Sequence, residues 1–340
     1  MKVQEHISLA AFTTLGVGGE ARFFVEVHSV EEIKDAIEYA REHNLQIYPL
    51  GAGSNILVPD TGINGIVLKI SLNDISFENK DDETFLIAGA GTLWEKIVDS
   101  ASERNLFGIE NLAGIPGTIG GASIQNIGAY GAEFSNVFAY ADVIDKTTGI
   151  CKRIVRTEAE FAYRNSFFKK HRELIIMNVA LRFSNKTLPN IIYADLACAH
   201  TEGVALSTPS EISLAIRAIR AKKFPCTVEE GTAGSFFKNP VISLELADSL
   251  KSRFLDLPMF PQENGEVKIS LAWLLDHALS LKGFSIGNVR LYEGQPLVIV
   301  ANKKATASDI DSFACEIAKR VFSATNIQIE REVETFGMSQ

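Results

Sequence analysis

Residues 111–131 read NLAGIPGTIGGASIQNIGAYG, with glycine at 114, 117, 120, 121, 128 and 131. A flexible linker is rich in glycine and serine, because its backbone stays solvated. In this run the glycines alternate instead with isoleucine, alanine and proline. Such density lets backbone lie against a flat ligand or a diphosphate, since no Cβ intervenes and N–H groups stay available. Packing alone accounts for some of these glycines but hardly for so many, and the run reads as a cofactor cradle. A second loop, in PLGAGSNILV at 49–58, follows a strand, and no amphipathic helix comes after it. Consecutive N–H groups over Gly51, Ala52, Gly53, Ser54 and Asn55 can face an anion. A hairpin-type turn explains the same residues, and the loop alone leaves both readings open. A third, GVGGEA at 16–21, has the spacing G-x-G-x-x-A but leads into the strand ARFFVEV. A dinucleotide fingerprint follows a strand and opens a helix, so this one is a plain turn.

Around these loops the chain is ordinary for a globular enzyme. Its 340 residues are too many for one comfortable core, which predicts two or three domains. A net charge of −9 argues against nucleic acid as a partner, while an anionic small molecule remains open. The four cysteines, Cys151, Cys198, Cys226 and Cys315, form no C-x-x-C pair. Free thiols in a reducing compartment are expected, not a disulfide framework or a zinc site. The histidines show no H-E-x-x-H spacing, and no metal is expected. No stretch approaches the ~20 apolar residues of a membrane span, and MKVQEHISLAAF lacks the pattern of a signal peptide. A cytoplasmic protein with no membrane partner is expected.

SVEEIKDAIEYAREHN opens with Ser29 and Glu32 as a capping box and places Val30, Ile33, Ile37 and Ala40 on one helical face. TLWEKIVDSASERN repeats the device with Thr92 and Glu95. Further helices are predicted over 211–223, 270–280 and 307–323. ARFFVEV, LQIYPL, GIVLKI, TFLIAGAG, ELIIMNVALRF and PLVIVAN read as strands, most of them rich in β-branched and aromatic residues. The mixture is α+β. Polar, proline-containing connections place the main domain boundary near 184–210.

A last stretch, GTAGSFFKNP at 231–240, carries a serine behind small residues, without the second glycine of a G-x-S-x-G elbow. Either it is a tight turn with a buried aromatic pair, or the hydroxyl serves some chemistry other than acyl transfer.

Taken in order, GAGSN, GIPGTIGGASIQNIGAYG, YRNSFFK and GTAGSFFKNP resemble the UDP-N-acetylenolpyruvoylglucosamine reductases, over about Thr13 to Gly337. IIYADL at 191–196, with Tyr193, is similar to the extra segment of the longer of that family's two forms. The resemblance implies a two-lobed FAD-binding domain of the vanillyl-alcohol-oxidase (PCMH) type, with a smaller α+β substrate-binding domain. The lobes are expected at 1–70 and 71–205, the substrate-binding domain at 206–325, and a C-terminal strand returning to the active site at 326–340. It also implies tight, non-covalent FAD, NADPH as hydride donor and a UDP-sugar enolpyruvyl ether as substrate, in peptidoglycan precursor synthesis. FAD contacts are then expected at Gly51, Gly53, Ser54, Asn55, Gly117, Gly120, Gly121 and Asn126.

Reducing an enolpyruvyl ether puts charge on the carbon beside a carboxylate and calls for a proton there. A guanidinium against the carboxylate lowers that barrier directly. Arg164 reads on its own as a surface ion pair; the resemblance makes it this group. The resemblance makes Ser235 the proton donor and Glu332 an assistant at the enol stage, where a buried, protonated carboxyl can donate to an oxyanion. Substrate contacts are implied at Tyr163, Tyr193, Lys223, Asn239 and Gln295. Arg217 and Arg220, on the same helix as Lys223, read as its solvated face. One departure stands out: the family usually has arginine two residues after the glutamate, and Glu334 stands there in this chain.

Overall fold

The computed structural model describes residues 1–225 and 230–338, so Cys226 lies outside the described residues. Cys151, Cys198 and Cys315 are free thiols at the surface. The chain forms two compact units: Met1–Ile7, Ala21–Gly53 and Ile63–Ala221 in the first, Ser8–Glu20, Ser54–Gly62 and Lys222–Gln340 in the second.

Among the described residues, the first unit holds a two-stranded ribbon, Gly128–Ala129 with Ala132–Glu133, and two large sheets. One has the order Val3–Ser8, Glu20–Val27, Ile63–Ile70, Ile47–Leu50. Its last three strands run parallel, with Glu26 and Leu50 on either side of Lys69 in register. The helix Val30–Glu42 buries Ile33, Ile37 and Ala40 of the predicted face, adds Ala36 to it, and leaves Val30 half-buried. Ser29 caps it by accepting from the Glu32 N–H, while the Glu32 carboxylate accepts from His28 N. The other sheet is antiparallel, in the order Cys151–Val155, Phe138–Asp145, Leu174–Ser184, Glu83–Gly89, Ile75–Lys80. The central strand Leu174–Ser184 is apolar on both faces and almost wholly buried.

Two local expectations fail here. Thr92 does not cap the helix Trp94–Ser102; it is buried and its hydroxyl points to the Leu72 carbonyl. Glu95 is used elsewhere, accepting from Gly114 N and pairing with Arg217. Arg217 also pairs with Asp99, and Arg220 Nε donates to Gly114 O at 3.0 Å. These arginines are therefore not a solvated face: they pin the helix Pro209–Lys223 onto the start of the glycine run.

The second unit is built on an antiparallel sheet in the order Gly231–Ser235, Val298–Ala301, Val289–Leu291, Ser285–Ile286. A small sheet in the order Val241–Ile242, Val267–Ile269, Met259–Pro261 accompanies it. The helix Ala307–Thr325 buries Ile310, Phe313, Ala314, Ile317 and Val321 in this unit's core. The predicted 270–280 helix is a single turn, Leu271–Trp273, that widens into a π-turn over Leu274–Ala278. The helices Leu244–Arg253, Ala194–Thr201 and Ile119–Gln125 are additions to the predicted set.

The long helix is held at its start by Asp60, whose carboxylate accepts from the N–H groups of Ala307 and Ser308 at 2.8 and 2.9 Å. Partial burial pushes this carboxyl's pKa up, but the hydrogen bonds from Ser308 and Ala307 outweigh it and hold it below the ordinary value. A lowered carboxylate pKa adds stability that is present above the unfolded value and lost as pH falls through the folded one. Asp60→Ala is expected to cost about 1 kcal/mol at neutral pH, as loss of an N-terminal helix cap does. Urea titrations should show that difference shrinking below about pH 4, where the unfolded carboxyl takes its proton.

Candidate active site

In the first unit, Arg164 sits at the tip of a two-residue turn. Ala162 and Asn165 exchange both backbone hydrogen bonds at 3.0 Å, leaving Tyr163 and Arg164 between them. Arg164 has φ +52°, a left-handed conformation costly for a side-chain-bearing residue. Residues held in such regions concentrate where function demands them. The guanidinium donates from Nη2 to Gly128 O at 2.8 Å and lies 5.2 Å from the centre of the Tyr163 ring. The turn is held by Asn126, which is almost fully buried and ends the helix Ile119–Gln125 at φ +46°. Asn126 Nδ2 donates to Ala162 O at 3.0 Å and its Oδ1 accepts from Ser135 N at 3.0 Å. Its side chain thus serves the Arg164 turn.

The glycine loops of this unit meet directly. A Cβ on Gly51 would lie 2.9 Å from the hydroxyl of Thr118, which itself accepts from Gly121 N. Gly51 is thus required by close approach of the two loops. Lys69, the one charge in the strand GIVLKI, donates from Nζ to Gly51 O at 2.5 Å. Gln125 Nε2 is buried with no partner among the described residues. A partly buried cation and an unmatched buried donor suit a group that brings its own phosphate and acceptor atoms, as FAD does. Sequence analysis did not single out Lys69, although it is the lone charge in an otherwise apolar strand.

Tyr193 precedes the helix Ala194–Thr201, is 44% exposed, and packs edge-on against Tyr130 at 5.2 Å between ring centres.

In the second unit the chain around Ser235 has an unusual path. Thr232 pairs with Val300 and Ser235 with Val298, so the strand carries one extra residue there. Such a bulge re-aims the side chain that follows it. Gly234 absorbs the bend at φ +74°, and its N–H is satisfied by the Thr232 hydroxyl. Phe236 and Phe237 are each 1% exposed and pack edge to face at 5.3 Å. They anchor the turn, and Ser235 between bulge and anchor is half-buried. Both readings of GTAGSFFKNP are thus compatible: the aromatic pair fixes the place of a hydroxyl.

Glu332 is tied to the same place. Its N–H donates to Phe236 O at 2.8 Å, and Arg331 bridges Phe237. Asn55 Nδ2 donates to Glu332 O at 3.0 Å, and Asn55 O accepts from Glu334 N, continuing the pairing of Glu334–Thr335 with Ile56–Leu57. The GAGSN loop ends by fixing the glutamate's backbone, a duty that the motif did not reveal. Glu332 and Glu334 are both half-buried. Asn239 Oδ1 accepts from Leu271 N and so caps a helical turn; Gln295 O accepts from Val298 N beside the serine strand. Lys223 is the last residue of its helix and half-buried.

An FAD binding domain model matches residues 21–154, which places the chain among the FAD-dependent oxidoreductases. Residues 226–336 match the model of the UDP-N-acetylenolpyruvoylglucosamine reductase C-terminal domain. Proteins with that reductase name from Shewanella sp. (strain ANA-3) and Escherichia coli (strain K12) are 36% and 34% identical, each over 98% of this chain and 96% of its own. The crystal structure of UDP-N-acetylenolpyruvylglucosamine reductase from Thermus caldophilus matches with a TM-score of 0.68 at 25% identity, covering 99% of each chain. The chain belongs to the UDP-N-acetylenolpyruvoylglucosamine reductase family. The expected α+β class with an FAD-binding domain holds, and FAD is its cofactor.

Proposed function

We propose that this protein reduces UDP-N-acetylglucosamine enolpyruvate to UDP-N-acetylmuramate, a step of peptidoglycan precursor synthesis, with NADPH as the electron source. The observation that carries the reading is the bulge at Thr232–Ser235, which sets a half-buried serine hydroxyl beside the backbone that Glu332 shares with Phe236. A flavin oxidase of alcohols needs the glycine loops but has no use for that pair.

FAD, when bound, would supply hydride-transfer chemistry. Arg164 binds the substrate carboxylate and stabilises the charge that develops next to it. Ser235 Oγ gives its proton to the carbanionic carbon; a hydroxyl is a weak acid, but an enolate-like partner is basic enough to take it. Glu332, in its protonated form, donates to the developing oxyanion. Tyr163, Tyr193, Lys223, Asn239 and Gln295 bind the UDP-sugar, Lys223 and Tyr193 at the diphosphate. Gly51, Gly53, Ser54, Asn55, Gly117, Gly120, Gly121 and Asn126 would hold the flavin, without a covalent bond. The enzyme works in the cytoplasm.

Anaerobic absorbance tests the whole reading. One equivalent of NADPH should bleach the flavin band of the purified protein, and the enolpyruvyl UDP-sugar should restore it. A band that bleaches and then ignores the sugar sinks the substrate assignment and leaves another flavoenzyme.

A further inference from the structure

Lys69 stands in the middle of a parallel sheet, flanked in register by Glu26 and Leu50. Glu26 is its natural ion-pair partner, yet that carboxylate accepts from the Ser71 hydroxyl at 2.6 Å. No carboxylate lies within ion-pair distance of Lys69 among the described residues. The ammonium instead reaches Gly51 O, at the opening of the glycine loop. Burial pushes its pKa down, against a smaller upward pull from Glu26. An ammonium has three N–H donors, and Gly51 O takes only one. A partly buried charge left with two donors and no counter-ion costs stability unless an anion completes it.

We propose that Lys69 is the counter-ion of the flavin diphosphate: it fixes the Gly51 loop through its carbonyl and presents its remaining N–H donors to the phosphate oxygens. This rests on the FAD-binding reading of the loops and adds the residue that neutralises the ligand's charge there. Lys146 offers an internal contrast. It too is partly buried and donates to a main-chain carbonyl, Ile47 O, at the other end of the strand Ile47–Leu50. It has no glycine loop beside it and serves as a staple.

The test is FAD binding to the deflavinated full-length chain, followed by flavin fluorescence at low and high salt, in wild type, Lys69→Met, Lys69→Arg and Lys146→Met. Loss of a charge-assisted hydrogen bond predicts roughly ten- to hundredfold weaker binding for Lys69→Met at low salt. The deficit should narrow at high salt, because added ions screen the attraction that only the lysine protein has. Lys69→Arg should recover most of the affinity, and Lys146→Met should bind as wild type. Unchanged FAD affinity in Lys69→Met overturns the proposal, as does a loss of the same size at both salts, which marks a displaced loop. Wild-type chain that takes up no FAD would instead overturn the cofactor reading itself, so the two failures are distinct.

Discussion

Ser235→Ala is expected to leave the half-reaction with NADPH at its wild-type rate and to slow the half-reaction with the enolpyruvyl sugar by on the order of a hundred- to ten-thousandfold, the range of a lost general acid. This asymmetry is expected because a proton donor is needed only when the substrate is reduced. The fold should tolerate the change: removing one oxygen leaves the Gly234 bend and the Phe236–Phe237 anchor in place. Anaerobic stopped-flow absorbance reads the two half-reactions separately. Equal slowing of both would move Ser235 from chemistry to positioning, and an unchanged sugar half-reaction would remove it from the mechanism.

Arg164→Met is expected to slow the sugar half-reaction by roughly a hundred- to thousandfold, the usual cost of deleting one electrostatic stabiliser of developing charge. Lysine should recover part of the loss, since it keeps the charge but not the two parallel hydrogen bonds. The strained backbone allows a sharper control. Arg164→Gly relieves the left-handed φ and should unfold at a temperature no lower than Arg164→Met, yet remain as slow. A glycine variant that recovers the rate would mean that the turn's conformation, not the guanidinium, is what the reaction needs.

The parts of this fold legible in the sequence are those where one physical signal decides. The stripe of Val30, Ile33, Ile37 and Ala40 predicted its helix, and GIVLKI and ELIIMNVALRF predicted their strands. Thr92 misled because a capping pattern is local, whereas Glu95 is taken by Arg217, far along the chain. The same distance in sequence hid the work of Arg217 and Arg220. At the candidate site, the motifs named candidate residues but not how those residues are held. Nothing in GAGSN announces that Asn55 will grip the backbone of Glu332. The bulge at Ser235 is equally a property of pairing with Val298 and Val300, which the residues before it do not encode alone.

The second unit gathers Ser8–Glu20 and Ser54–Gly62 with everything after Lys222, and Leu15, Val17 and Leu57 share its core with Phe313 and Ile317. On the ribosome, these early segments emerge long before the chain they pack with exists. Their apolar side chains must wait, exposed or chaperoned, until synthesis is nearly complete, so the second unit becomes foldable only at the end of translation. The same wiring bears on dissection. A fragment beginning at Lys222 lacks three core side chains and the backbone of Thr14 that pairs with Thr232. Cutting the gene at that point is expected to yield no autonomous domain, whereas a second unit with both early segments grafted back on keeps its core complete.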